Sequence, residues 1–160
     1  MFLGICIALA AFLIDQASKW FVIDFFDKAI SPIKYGNYFN LVEAWNTGVS
    51  FSMFDDGGML GSVLLSVFAL GVIAFLLFWL KREQNRLIQI SLGMIIGGAL
   101  GNVVDRIRFG AVYDFLDFHY QTWHWPAFNM ADSFICIGAF LIIVHGLFNS
   151  KKISLKDGVK

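Results

Sequence analysis

Apolar residues run through this chain in long, unalternating blocks, and polar residues are confined to the gaps and to a few isolated positions inside the blocks. The blocks are about Phe2–Ile23, Met59–Leu80, Leu87–Val104 and Ala131–Phe148. A helix of roughly 20 residues crosses a hydrocarbon core about 30 Å thick. Without period-two alternation a barrel is not the way the backbone is satisfied in lipid, and helices are. The pattern therefore predicts an all-α membrane protein with four transmembrane helices, one integral domain over residues 1–160. The first block has no basic start and stays apolar past Asp15 as far as Ile23, so it is expected to be a retained helix and not a cleaved leader.

The gaps carry their own pattern. Tyr35, Tyr38, Phe39, Leu41 and Val42, then Val49, Phe51 and Met53, read as strands with a turn at Gly36-Asn37. A small extracytoplasmic β-sheet and loop are expected, with Trp45 and Phe54 at the headgroup layer and Asp55-Asp56-Gly57-Gly58 turning the chain into the second span. Lys81, Arg82 and Arg86 crowd the short second connection, and Lys151, Lys152, Lys156 and Lys160 crowd the tail. Cations collect on the cytoplasmic side, so both termini are placed there and the connections 24–58 and 105–130 outside. Arg106 and Arg108 weaken this bias without reversing it.

Composition agrees. Of the 160 residues 58% are apolar and only 15% charged, and the mean hydropathy is +0.70, outside the range of a soluble domain. The net charge is zero and no basic stripe is present, which excludes a nucleic-acid partner. Cys6 and Cys136 lie in different spans with no CxxC or Cys/His cluster, so neither a disulfide framework nor a metal site is expected. Gly93, Gly97 and Gly101 form a stripe on the third span that lets a neighbouring helix approach closely. No internal repeat points to a duplicated transporter.

Five polar clusters interrupt the apolar text: Asp15 with Gln16 and Lys19; Asn46-Thr47-Gly48; Asn102 with Asp105 and Arg106; Tyr113-Asp114-Phe115; and Phe128-Asn129 with Asp132. Ionisable groups in spans are costly and point to function, yet each has a plainer reading. Asp15 and Lys19 can neutralise one another at i,i+4. Asn46-Thr47-Gly48 can be a turn, or its amide can hold a peptide. Arg106 and Arg108 favour the ionised form of Asp105, which suits an ion pair better than proton transfer. Asp114, among Val112, Tyr113, Phe115 and Leu116, is expected to have a raised pKa, unless it is a hydrated loop carboxylate. Asn129 and Asp132 read equally as a helix cap with an acid at the third helical position.

The series Asp15-Gln-Ala-Ser-Lys19, Asn46-Thr-Gly48 with Phe51, Gly98-Ala-Leu-Gly-Asn102-Val-Val-Asp105-Arg106, Val112-Tyr-Asp114-Phe115 and Phe128-Asn-Met-Ala-Asp132 resembles, in order and spacing over nearly the whole chain, that of the bacterial lipoprotein signal peptidases, or signal peptidase II. The resemblance implies a membrane aspartic endopeptidase of the bacterial cytoplasmic membrane. Such an enzyme cuts the signal peptide from diacylglyceryl-modified prolipoproteins just before the lipidated cysteine, with no cofactor. It further implies Asp114 and Asp132 as the catalytic pair, with Asp15, Asn46, Asn102, Arg106 and Asn129 supporting them or holding substrate. Ser50 stands where the family has alanine, a small-for-small change.

Such a pair does general acid–base hydrolysis: one carboxylate takes a proton from water while the other, protonated, stabilises the oxyanion. An apolar groove between helices is expected to receive the signal helix and acyl chains, membrane lipids surround the protein, and a monomer suffices. Two rivals remain: a proton-coupled transporter using the aspartates as a relay, and an assembly subunit using the glycine stripe. The uncharged centres of the second and fourth spans count against the relay.

Overall fold

The computed structural model describes residues 1–48 and 59–157, with side chains as far as Phe148 in the last helix. Its elements are α1 (Phe2–Phe26), β1 (Ile33–Tyr35), β2 (Phe39–Asn46), α2 (Met59–Arg82), α3 (Arg86–Phe109), β3 (Val112–Tyr120), β4 (Trp123–His124) and α4 (Met130–Asp157). All four helices are long and apolar enough to cross a membrane. At about 1.5 Å per residue, the 24 residues of α2 exceed the thickness of the hydrocarbon core.

The third helix is the centre of the bundle, because its glycines remove side chains where two neighbours must come close. A Cβ on Gly93 or Gly97 would collide with the carbonyl oxygens of Gly4 or Ala8 on α1, and one on Gly98 with that of Ala131 on α4. Ile88, Leu92, Ile96 and Val103 then fill a core shared with Ala8 of α1 and Ile73, Leu76 and Leu80 of α2. The predicted stripe thus packs α3 on α1. Gly97→Ala pushes against backbone that cannot rotate away, and we expect it to cost about 1–3 kcal/mol. Gly71→Ala has open space around it and is expected to leave stability equal or higher, since alanine is the better helix former. Thermal unfolding of both variants in detergent checks the contrast in sign.

Helix ends are set locally. Asn85 caps α3, its side chain accepting from the amides of Leu87 at 2.9 Å and Ile88 at 3.3 Å, and Gly110 ends the helix at φ 75°. Asn129 precedes α4: its Oδ1 accepts from the Asp132 amide at 3.0 Å while Asp132 Oδ2 accepts from the Asn129 amide at 3.3 Å. This reciprocal pair is a capping box, as the sequence suggests.

The sheet is larger than the sequence predicts. β1 and β2 form at the expected hairpin, with Gly36 at φ 77°. β2 pairs onward with β3, and β3 with β4, giving a four-stranded antiparallel sheet in the order β1-β2-β3-β4. Asp114 is therefore a strand residue and not a loop carboxylate. Val112 to Phe115 are buried without a break, so the stretch shows no alternation to mark it as a strand. The expected strand residues Val49, Phe51 and Met53, with Ser50, Phe54 and the turn at 55–58, lie outside the described residues. The sheet sits where α1 and α3 end and α4 begins, on a second core of Val22, Phe26, Tyr113 and Phe115.

Candidate active site

Two elements, β3 and the start of α4, deliver the two candidate carboxylates and the asparagine between them. β3 carries Asp114, the first turn of α4 carries Asp132, and the cap of α4 is Asn129. Pairing of β2 with β3 sets Ala44 opposite Asp114 and Asn46 opposite Val112. Asn46 thereby reaches diagonally across the strands, its Nδ2 donating to Asp114 Oδ2 at 3.0 Å. The other oxygen of Asp114 accepts from Asn129 Nδ2 at 2.7 Å. Asp132 Oδ1 accepts from Asn102 Nδ2 at 2.8 Å, and the same Asn129 Nδ2 lies 3.2 Å from Asn102 Oδ1. One fully buried asparagine thus touches Asp114 by its side chain and Asp132 through both its backbone and its side-chain oxygen.

The environments of the two carboxylates differ. Asp114 is 2% exposed, whereas Asp132 is half-buried. Burial pushes the Asp114 carboxyl up to about 6, and the negative charge of Asp132 adds to this, against hydrogen bonds from Asn46 and Asn129 that pull it down. The raised pKa expected from its apolar neighbours is present. Asp117, three residues along β3, has a different role. Burial alone would raise it, but hydrogen bonds from Asn40 and His124 outweigh this and hold it below the ordinary carboxylate value.

Behind Asp132 lies a buried ionic cluster. Lys19 contacts Asp15 Oδ2 at 2.9 Å, Asp105 Oδ2 at 2.7 Å and Asn102 Oδ1 at 3.0 Å. The predicted Asp15–Lys19 pair is present, but the cation that holds Asp105 is Lys19 of another helix. Neither Arg106 nor Arg108 forms an ion pair with Asp105 among the described residues, because the pairing is set by the close α1–α3 approach and not by spacing within one helix. Asp15 is tied to α4 as well, its Oδ1 accepting from the Ala131 amide at 2.8 Å.

Arg106 lies within electrostatic reach of Asp132, Asp105 and Asp114, and its buried Nε has no hydrogen-bond partner among the described residues. It also lines one end of an apolar groove of about 420 Å³ between α2 and α3, with Ser62, Val63, Ser66, Val67 and Leu70. The groove and the carboxylates therefore meet at Arg106. All seven residues singled out from the sequence converge here: Asp15, Asn46, Asn102, Arg106, Asp114, Asn129 and Asp132. Lys19 and Gln16 were legible only as neighbours of Asp15. Gln16 Nε2 in fact donates to Asp105 Oδ1 at 3.1 Å, and only the packing of α1 on α3 exposes that.

A solved structure described as a bacterial membrane enzyme superposes with TM-score 0.75 and 27% identity, covering 90% of this chain and 92% of the other. A second of the same description gives TM-score 0.77 at 24% identity, covering 93% and 90%, which speaks for the fold. The lipoprotein signal peptidase of Aeromonas hydrophila subsp. hydrophila is 43% identical over 148 residues, 91% of this chain and 89% of that protein. The lipoprotein signal peptidase of Pseudoalteromonas atlantica is 41% identical over 91% of this chain and 88% of its own length. The profile of the family described as Signal peptidase (SPase) II matches residues 7–148, a stretch that takes in every residue of the site. With four membrane-crossing helices and these relatives, the chain is a multi-pass bacterial membrane protease, and it belongs to the signal peptidase II family of lipoprotein signal peptidases.

Proposed function

We propose that this protein is an aspartic endopeptidase that removes signal peptides from diacylglyceryl-modified prolipoproteins, cutting before the lipidated cysteine with a water activated by Asp114 and Asp132. The observation that carries the reading is Asn129, which is bonded to both carboxylates and holds them on one centre. Asp132, the more accessible, acts as base and takes a proton from the water. The water oxygen bonds to the scissile carbonyl carbon, and Asp114, protonated, donates to the developing oxyanion. Collapse of the tetrahedral species breaks the C–N bond, and the proton held by Asp132 passes to the leaving amine. No covalent bond to the enzyme forms. Asn46, Asn102 and Asn129 orient the carboxylates, Asp15 holds the start of α4, and Arg106 stands at the mouth of the groove that takes an acyl chain.

The basic residues at the α2–α3 connection support an orientation with that end in the cytoplasm and the dyad toward the outer face. Both termini are then cytoplasmic, and a single chain supplies the whole site.

Incubating the purified protein in detergent with a diacylglyceryl-modified prolipoprotein, beside the same precursor without lipid, tests the substrate. Mass spectrometry is expected to find one cut, before the modified cysteine, in the lipidated precursor only. Equal cutting of both precursors, or a cut elsewhere, contradicts the reading.

The pH dependence follows from Asp114. Its protonated form is needed as donor and is lost as pH rises through about 6, so kcat/KM of the free enzyme is expected to show a descending limb there, belonging to the pair as a unit. For stability the sign is the same. A carboxyl raised from 3.8 to about 6 contributes most below pH 3.8 and loses that contribution by pH 6. Asp114→Asn does not titrate, so the wild type is expected to lose stability relative to it across this window, and thermal melts of the two at pH 4 and pH 7 measure the difference.

A further inference from the structure

We propose that Lys19 is a positioning residue that fixes the placement of both dyad aspartates through the three oxygens its ammonium holds, an assignment that rests on the dyad reading above. Lys19 is 3% exposed and makes no hydrogen bond to Asp114 or Asp132. Its three donors are matched by three acceptors: Asp15 Oδ2 at 2.9 Å, Asp105 Oδ2 at 2.7 Å and Asn102 Oδ1 at 3.0 Å. Each acceptor leads to one of the aspartates.

Asp105 Oδ2 also accepts from the amide of Tyr113 at 3.4 Å, the residue before Asp114, and so ties that point of β3 to α3. Asp15 Oδ1 accepts from the amide of Ala131 at 2.8 Å, the residue before Asp132, and so ties the first turn of α4 to α1. Asn102 is the third arm. An amide can turn over and exchange its oxygen for its nitrogen, but a lysine ammonium only donates. With Lys19 on Oδ1, Asn102 must present Nδ2 to Asp132, at 2.8 Å. Gly101 keeps the space clear, since a Cβ there would meet the Asp15 carboxylate. Neutralising Asp15 would need one contact at i,i+4; the lysine instead spans α1 and α3 and reaches, through its partners, the backbone beside each aspartate.

A cation that only balances charge and a cation that positions give different kinetics. Steady-state cleavage is measured for Lys19→Met, Lys19→Arg, Asn102→Ala and the Lys19→Met/Asn102→Ala pair, with Asp114→Asn and Asp132→Asn as references. Misplacement by about 1 Å is expected to lower kcat about 100-fold in Lys19→Met, with KM within about twofold because bound substrate is not touched. The pair is expected to be no slower than its slower single variant, as for residues acting along one chain of contacts. Arginine keeps the charge, but its planar fork does not meet three converging oxygens, so it is expected to leave kcat well below wild type.

Wild-type kcat in Lys19→Arg, multiplied effects in the pair, or a change in KM alone would each overturn the assignment. If Lys19→Met does not fold, the same comparison is made in an Asp105→Asn background, where removing the lysine strands one carboxylate and not two. Turnover surviving in both Asp114→Asn and Asp132→Asn sinks the dyad reading itself. Dead references with multiplied Lys19 and Asn102 effects sink only the Lys19 assignment.

Discussion

Replacing Asp114 or Asp132 by asparagine is expected to lower turnover by about 10²–10⁴-fold, the range in which a positioned acid or base contributes, while the lipidated precursor still binds. Asparagine keeps the shape of each side chain and removes only its capacity to exchange a proton. The environment makes the two losses different in kind. Asp114 is buried and raised to about 6, so its replacement exchanges a carboxylic-acid donor for a much weaker amide donor and sets an N–H against the amide of Asn46 or Asn129. Asp132 is half-buried and bonded to Asn102, so its replacement removes the base. Because the two act on one water, the double variant is expected to be little worse than either single one. Turnover at saturating substrate, with binding followed by retention of a labelled precursor, checks both. Full activity in either variant would contradict the assignment, and so would a double variant whose loss is the product of the two.

The next largest effect is expected at Asn129. The two hydrogens of its Nδ2 are shared among Asp114 Oδ1 at 2.7 Å, Asn102 Oδ1 at 3.2 Å and the Tyr113 carbonyl at 3.3 Å, while its Oδ1 accepts from the Asp132 amide. Asn129→Ala loses the helix cap, about 1 kcal/mol, and leaves buried acceptors unpaired at about 1–3 kcal/mol more. At roughly 2–4 °C per kcal/mol for a chain of this size, the melting temperature should fall by several degrees. Turnover is expected to fall about 100-fold as Asp114 loses its fixed orientation. Serine separates the two effects. It caps a helix as well as asparagine does but is too short to reach Asp114. Asn129→Ser should therefore recover part of the melting temperature and none of the rate. Recovery of both would make Asn129 a cap and nothing else.

Much of this architecture is legible in the sequence, for identifiable reasons. The four spans are long apolar runs with no competing period, and the helices run past the predicted boundaries, α1 from Ile23 to Phe26, α3 from Val104 to Phe109 and α4 from Phe148 to Asp157. The cap at Asn129 follows from its three-residue spacing to Asp132. The hairpin at Gly36-Asn37 follows from turn chemistry. β3 was hidden because Val112, Tyr113, Asp114 and Phe115 are all buried, so the two-residue period that marks a half-exposed strand is missing. Likewise the partner of Asp105 could not be read locally. Arg106 and Arg108 are nearer in sequence, but Lys19 reaches it only because Gly93 and Gly97 bring the third helix against the first. Local spacing finds contacts within a helix, and the contacts that join this site run between helices.

The central claim is that one water attacks directly, with the two aspartates exchanging only protons. A single turnover in ¹⁸O-labelled water tests it, with enzyme in excess over lipidated precursor and both enzyme and peptide weighed by mass spectrometry after quenching. The label is predicted in the new C-terminal carboxylate of the released signal peptide, with the enzyme mass unchanged at every time point. Label in the enzyme, or an enzyme species heavier by the mass of the signal peptide, would show that a carboxylate attacks the peptide bond itself, and the account of Asp114 and Asp132 as proton carriers would be wrong.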